Sequence, residues 1–155
     1  MEKSLRLQNA DLLTEYNLFE CDLARPRVKA SDFHGKQAHL KFRAREHQSA
    51  TLCTLVMTRN IDSTGVARYP VGTCPVLDPA TGATLVDTLG HRSYTTSIAF
   101  GPTIGKHIAL AYLPHAYAEV GPELQIQHFA DVYPVKVEAV GYKSLYDAEN
   151  IKPRS

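Results

Sequence analysis

The stretch that decides the fold runs from Thr51 to Thr58 and reads TLCTLVMT. It is apolar and rich in β-branched residues, which favour a pleated strand, and it is followed by turn-forming residues from Asn60 to Gly65. From this point onward glycines and prolines separate short apolar runs, with eight of each between residues 49 and 155. The stretch therefore predicts a β-strand and a loop, and it marks where the chain becomes a β structure.

Further strands are predicted on the C-terminal side of this stretch. Residues 75–86 read as a hairpin around Asp78-Pro79-Ala80-Thr81-Gly82, because proline fixes its own φ and glycine accepts a positive φ. Short apolar runs predict four more strands, at residues 94–100, 108–113, 124–129 and 132–140. Their spacing predicts a mainly β fold, a small antiparallel β-barrel of about six or seven strands.

The residues before the barrel differ from it in composition, with a single proline and a single glycine in residues 1–48. Ser31 or Asp32 can act as an N-cap, and the residues that recur at helical spacing are Phe33, Gln37, Leu40 and Ala44. This pattern predicts a helix from about Asp32 to His47. We therefore predict two parts, a segment 1–48 with one helix and a barrel 49–155. The polar tail, residues 142–155, is expected to run over the surface and fray.

Composition excludes several classes of protein. The chain has 155 residues, of which 44% are hydrophobic and 21% charged, enough for one globular core. Its net charge of +1 lacks the basic excess of proteins that bind nucleic acid or membrane surfaces, so we expect neither partner. The longest uncharged stretch, residues 93–105, is too short for a membrane helix, and Met1 to Arg6 carry no secretory signal. We expect a cytoplasmic location.

The spacing of the histidines and cysteines gives little support for a metal site or a nucleophilic centre. His34, His39 and His47 are five and eight positions apart, whereas two ligands on one helical face need a spacing of three or four, so no metal site is predicted. The three cysteines are widely spaced, which predicts reduced and mostly packed thiols. Residues 101–106 lack the spacing of a phosphate loop and are predicted to form a turn.

One segment, residues 92–97, is dense in hydrogen-bonding groups. Because side chains alternate along a strand, Arg92, Tyr94 and Thr96 are predicted to share one face, and the other face would carry Ser93, Thr95 and Ser97. A polar ligand could be held on such a surface. The alternative, an edge strand with exposed hydroxyls, stays open on pattern alone.

The run from Asp87 to Leu113 resembles a known signature. It reads DTLGHRSYTTSIAFGPTIGKHIALAYL and is similar to the "G-x-V-T-S-G-x-x-S-P-T-L-G-K-x-I-A-L-A-Y-V" pattern of the C-terminal barrel of glycine cleavage T-proteins, which are tetrahydrofolate-dependent aminomethyltransferases. Residues 2–7, 16–20 and 28–38 resemble further segments of that family, and residues 145–150, LYDAEN, resemble the "Y-D-P-x-N" ending of its dimethylglycine and sarcosine dehydrogenase branch. Asp22 and Ile98 stand where the family has glycines, so local turns are expected to differ.

The resemblance implies a role in one-carbon metabolism. The family's catalytic aspartate and its pterin-binding carboxylate lie upstream of the region that Met1 begins, so no catalytic residue is assigned and residues 1–48 are interpreted as a remnant of the folate-binding domain. Tetrahydrofolate is expected as a ligand of the complete enzyme, with Arg92, Tyr94 and Ser97 as candidates for facing it. The dehydrogenase branch holds FAD in a separate domain, and this chain has no G-x-G-x-x-G fingerprint, so we expect no FAD site and no metal.

Two interpretations of the whole chain follow. In the first, it is the C-terminal barrel part of such an enzyme and is not catalytic alone; its partner is a chain with the missing folate and flavin domains, or a second copy. In the second, it is a non-enzymatic binding or assembly module that uses the same barrel. Apolar residues of the first segment would either fold back on the barrel or bind a partner, among them Leu12, Leu13, Tyr16, Leu18 and Phe19.

Overall fold

A computed structural model describes residues 1–25, 27–147 and 149 of the chain. Within them lie one helix, α1 (Lys36–Arg43), a 3₁₀ turn at His115–Tyr117 and one sheet of six strands. The strands are β1 (Ala50–Met57), β2 (Val76–Leu77), β3 (Thr95–Gly101), β4 (Lys106–Pro114), β5 (Glu123–His128) and β6 (Asp131–Val140). Neither helical element of the described part is long and apolar enough to cross a membrane.

The sheet is antiparallel and curls on itself. Its strand order is β2-β5-β6-β1-β4-β3, so β2 and β3 are the two edges. Backbone hydrogen bonds connect these edges at one end, from Thr95 N to the Cys74 carbonyl at 2.8 Å and from Val76 N to the Ser93 carbonyl at 3.0 Å. The predicted mainly β fold with a small antiparallel barrel is confirmed, and the predicted strands agree with observed ones to within about two residues, with one exception. The second strand of the hairpin predicted over residues 75–86 is reduced to isolated bridges at Thr84 and Val86.

Strands β1 and β4 are buried on both faces. Their inward residues, such as Leu55 and Ala109, belong to the main core of the barrel. Their outward residues Leu52 and Tyr112 pack under the N-terminal residues, including Leu12 and Tyr16. This double burial explains why β1 reads as a continuous apolar run rather than an alternating one.

The predicted hairpin and turn are both present. Asp78 N donates to the Ala83 carbonyl at 2.9 Å, and Gly82 has a φ of +68°, the left-handed conformation that the turn requires. Residues 102–105 form the turn between β3 and β4, where Gly105 N donates to the Gly101 carbonyl at 2.8 Å. The segment 101–106 is therefore a hairpin turn, as predicted.

The helix is shorter than predicted. It begins at Lys36 rather than near Asp32, because Gly35 is the N-cap residue and its φ of +83° lies outside the helical region. No side chain caps it, so the prediction of a Ser31 or Asp32 cap is wrong. None of its eight residues is buried, and no packed face extends the helix to His47.

The prediction that the C-terminal tail frays is wrong for its first part. The backbone N–H groups of Leu145 and Tyr146 donate to the Glu2 carbonyl at 2.9 and 3.1 Å. Lys3 Nζ also lies 2.8 Å from Asp147 Oδ2. These contacts attach the tail to residues 1–23, which we call the N-terminal segment. Residues 148 and 150–155 of the predicted tail lie outside the described residues.

Candidate functional site

The predicted ligand-binding residues lie at the start of β3. Ser93 and Thr95 are buried, while Tyr94 and Thr96 are half-buried and Arg92 is exposed. The alternation predicted for these five residues is therefore confirmed. It turns Arg92, Tyr94 and Thr96 toward the outer face of the barrel.

Ser97 departs from the predicted alternation. Thr95 pairs with Ala111 of β4, but Ser97 pairs with its neighbour Leu110, so the register shifts by one residue at this point. Such a bulge sets two residues against one and turns the following side chain over. Because Leu110 faces outward, Ser97 shares its outer face. The prediction that Ser97 shares the face of Thr95 is wrong, and the bulge instead places it on the same face as Arg92 and Tyr94.

The N-terminal segment covers part of this outer face. We call the contact between the segment and this face the seam. Its centre is Asp11, which is 2% exposed. Oδ1 of Asp11 accepts a hydrogen bond from Thr96 Oγ1 at 2.6 Å, and Oδ2 accepts one from Leu7 N at 2.9 Å. The carboxylate thereby joins the N-terminal segment to the bulge in β3 through charge-assisted bonds.

Two tyrosines stack beside Asp11. The rings of Tyr16 and Tyr112 lie 3.5 Å apart between centroids and are nearly parallel, at 4°. The hydroxyl of Tyr112 donates to the Asp11 carbonyl at 2.7 Å. Burial, together with nearby negative charge, raises the pKa of both phenols, so both hydroxyls stay protonated and that of Tyr112 serves as a neutral donor.

Tyr94 reaches back to the same N-terminal segment. Its hydroxyl donates to Glu15 Oε1 at 2.8 Å. Burial first, and then the Glu15 carboxylate, raise the pKa of Tyr94 to about 12. Neither Arg92 nor Ser97 has a hydrogen bond or ion pair from its side chain within the described part of the chain, so both can still bind a ligand.

The seam also holds a partly desolvated cation, Arg6. Its Nη2 donates to the Gly141 carbonyl, but its Nε and Nη1 are buried and have no hydrogen-bond partner among the described residues. Burial lowers the pKa of Arg6, and the charge of Asp11 opposes that effect. The hydroxyls of Ser4 and Thr54 are likewise buried and unpaired in the described structure.

Sequence reasoning missed Asp11, Arg6 and Tyr112. The local signal was weak, because residues 5–13 read LRLQNADLL and Asp11 is one of several polar residues among the leucines. The distance of about 85 residues between Asp11 and Thr96 hides their contact from any local pattern.

The cysteines and histidines form no reactive centre. All three cysteines are free and buried, which confirms the prediction of packed thiols. Cys74 Sγ lies 3.3 Å from His128 Nδ1, but burial raises the pKa of Cys74, and it raises that of Cys53 to about 12. The neutral thiol is a weak nucleophile. No group of three or more metal-ligating side chains occurs among the residues that the structure describes.

A shallow cavity of about 520 Å³ lies at the start of α1 and is lined by residues 32–37. Arg92, Tyr94 and Ser97 are not part of its lining. The three candidate residues therefore lie outside that cavity.

Comparison with known proteins agrees with this architecture. Residues 72–146 match the family model described as glycine cleavage T-protein C-terminal barrel domain. No curated protein matches the chain in sequence. Among solved structures, the chain is similar in fold to the glycine cleavage system aminomethyltransferase T from Bartonella henselae, with a TM-score of 0.68 and 19% sequence identity.

That comparison covers 91% of this chain but 36% of the Bartonella henselae protein, so the chain spans about a third of the length of its relative. At this identity the structural similarity establishes the fold alone. The family model covers β2 to β6 together with the segment that holds Arg92, Tyr94 and Ser97. Residues 72–146 are therefore similar to the C-terminal barrel domain of glycine cleavage T-proteins.

Proposed function

We propose that this chain is the C-terminal barrel part of a tetrahydrofolate-dependent one-carbon enzyme of the aminomethyltransferase type, and that it is not catalytic alone. The observation that carries the proposal is the match of residues 72–146 to the T-protein barrel. The similar structure from Bartonella henselae is that of an aminomethyltransferase, and this chain covers 36% of it. A chain of that extent would need further domains to form a complete enzyme.

Within that class, we favour the dimethylglycine or sarcosine dehydrogenase branch. The support is the stretch LYDAEN at residues 145–150, which resembles the ending of that branch. We further propose that the partner in the cytoplasm is a chain that carries folate and flavin domains, or else a second copy of this chain. Exposed Leu5, Leu7 and Leu18, each more than half accessible, offer apolar area for such an association.

Arg92, Tyr94 and Ser97 would face the folate. The exposed guanidinium of Arg92 has no ion pair in the described part of the chain, and a guanidinium binds carboxylates such as those of the folate glutamate. The Ser97 hydroxyl is free to bond, and the Tyr94 oxygen keeps an acceptor lone pair while it donates to Glu15. The surface around them would form one side of a pocket.

Calorimetric titration with tetrahydrofolate tests the proposal, with light scattering to define the oligomeric state. A working half-site would bind with a Kd of about 1 μM, or about −8 kcal/mol. Arg92→Gln should weaken binding by about tenfold, because it removes a charge-assisted contact. Arg59→Gln is the matched control, since Arg59 is equally exposed and lies outside the candidate surface.

The alternative is a non-enzymatic binding or assembly module on the same barrel. Equal affinities of the Arg92→Gln and Arg59→Gln variants would show that folate does not bind at the candidate surface. A complete lack of folate binding, by the chain alone and after mixing with the folate-binding domain of an aminomethyltransferase, would favour the assembly module.

A further inference from the structure

Positive charge is concentrated in residues 24–47, which we call the basic arm. The arm contains seven lysines and arginines and two acidic residues, a net charge of +5 at pH 7. The whole chain carries +1, so the rest of it carries −4. The near-neutral total therefore conceals a separation of charge between the arm and the barrel.

Most charges of the arm are exposed, and most of them have no carboxylate partner among the described residues. None of the described residues from 24 to 47 is buried. Within the described part of the chain, six of the seven cations form no ion pair with a carboxylate: Arg25, Arg27, Lys29, Lys36, Lys41 and Arg45. In the barrel, by contrast, Arg68 pairs with the buried Asp62 at 2.8 Å.

Local contacts give the arm a defined shape. Lys36 Nζ donates to the Ala30 carbonyl at 2.7 Å, and Arg43 Nη2 donates to the Arg25 carbonyl at 3.1 Å. The ring of His39 lies 4.9 Å from that of Phe19, which attaches α1 to the N-terminal segment. Lys29 and Arg45 lie over the rings of Phe33 and Phe42, at 5.3 and 4.8 Å from the ring centroids, and these cation–π contacts supply no carboxylate that would neutralise them. The arm therefore presents most of its cations from an ordered surface beside the barrel.

We propose that the basic arm is the docking surface for a protein partner that presents a cluster of carboxylates. Complementary charge accelerates association and excludes partners of the wrong sign. The arginines add planar donor groups that bind carboxylates through paired hydrogen bonds. This interface goes beyond the proposed folate-related role and does not depend on it.

The charge of the barrel favours an acidic protein over a nucleic acid or a membrane. Duplex DNA carries one charge per ~1.7 Å along its axis, so it extends past a short arm and meets the remainder of the chain, which carries −4. An anionic membrane is equally extended. A compact acidic patch matches the arm without meeting that repulsion.

Fluorescence anisotropy with a labelled oligoglutamate peptide tests the proposal on the full chain. We expect saturable binding that weakens as salt is added, since the contacts are exposed charges. The triple variant Lys29→Gln, Lys41→Gln and Arg45→Gln should bind about tenfold more weakly, at about half a kcal/mol for each lost pair. A matched control, Arg59→Gln with Lys106→Gln and Lys143→Gln, removes equal charge from exposed sites outside the arm and should change affinity less than about twofold.

Three results would overturn the proposal. Equal weakening in both triple variants would mean that only net charge matters. Tighter binding of a short RNA duplex, or of phosphatidylserine vesicles, than of the peptide at the same salt would assign the arm to another class of partner. Circular dichroism of both variants confirms that they are folded before binding is compared.

Discussion

Tyr112 connects the barrel to the N-terminal segment through both its ring and its hydroxyl. The ring stacks on Tyr16 at 3.5 Å, and the hydroxyl donates to the Asp11 carbonyl at 2.7 Å. Tyr112→Phe keeps the stack and removes the hydrogen bond, so we expect the free energy of unfolding to fall by about 1 kcal/mol. Urea unfolding measures this change.

The control for this substitution is Tyr142→Phe. Tyr142 is 45% exposed, and its hydroxyl makes no hydrogen bond within the described residues. Its removal should leave stability unchanged. A loss in Tyr142→Phe as large as in Tyr112→Phe would contradict the role given to the Asp11 contact.

Asp62 gives the loop after β1 a dependence on pH. Hydrogen bonds from the Thr64 side chain and from backbone N–H groups lower the pKa of its carboxyl below the ordinary value of 3.8, although burial opposes them. The folded state therefore favours the charged form, so the stabilisation is complete above the ordinary pKa and is lost as pH falls through the lowered one.

This linkage predicts the behaviour of Asp62→Asn. The variant should melt at a lower temperature than the natural chain near neutral pH, and the difference should shrink from about pH 5 downward as Asp62 is protonated in the natural chain. Thermal melts across this range provide the measurement. A difference that stays constant down to pH 2 would show that the charge of Asp62 contributes nothing.

At the scale of elements, helix α1 contributes little to the stability of the barrel. Replacing residues 25–47 by a flexible glycine-serine linker should change the free energy of unfolding by less than about 1 kcal/mol, because none of the described residues it removes is buried. Urea unfolding of the shortened chain tests this. As a comparison, Leu52→Ala removes a fully buried side chain and should cost about 2 to 5 kcal/mol. A shortened chain as unstable as Leu52→Ala would overturn the prediction.

The strands were predictable from sequence because each one combines apolar residues with turn formers at its ends. The helix was predicted with the right type but the wrong length. Helical spacing in residues 33–44 is typical of a helix with one buried face, yet no residue of α1 is buried, and Gly35 at a φ of +83° delays its start. Periodicity reports a face that can be buried, not whether another element covers it.

The candidate site was predictable in part. Arg92, Tyr94 and Ser97 do share one face, but Ser97 joins it through a bulge that strict alternation cannot anticipate. Asp22, which stands where the resemblance expects glycine, keeps a positive φ of +53°, so that local turn survives the substitution. The seam itself rests on contacts between residues 79 to 135 positions apart, such as Arg6 with Gly141, which no local pattern encodes.

At the scale of the whole molecule, the N-terminal segment belongs physically to the barrel. Leu52 N donates to the Glu20 carbonyl at 2.8 Å, and Gly141 N donates to the Leu52 carbonyl at 2.9 Å, so residues near Glu20 extend the pairing around β1. The 3% exposed Glu20 accepts a hydrogen bond from Ser49 Oγ at 2.5 Å. The assignment of residues 1–48 to a separate part remains a prediction, but residues 1–23 and the arm have different surroundings.

This difference predicts two classes of amide hydrogen exchange. Amides of β1 and β4 should exchange only through global unfolding, and those near Asp11 and Cys21 should share that slow class, because their segment is buried under the same contacts. Amides of α1 should exchange at least ~10³-fold faster, since local opening exposes no core. Exchange monitored by mass spectrometry on peptides from each region distinguishes them. If residues 7–23 exchanged as fast as α1, the N-terminal segment would be a loosely attached appendage, and the seam would contribute nothing to the cooperative fold.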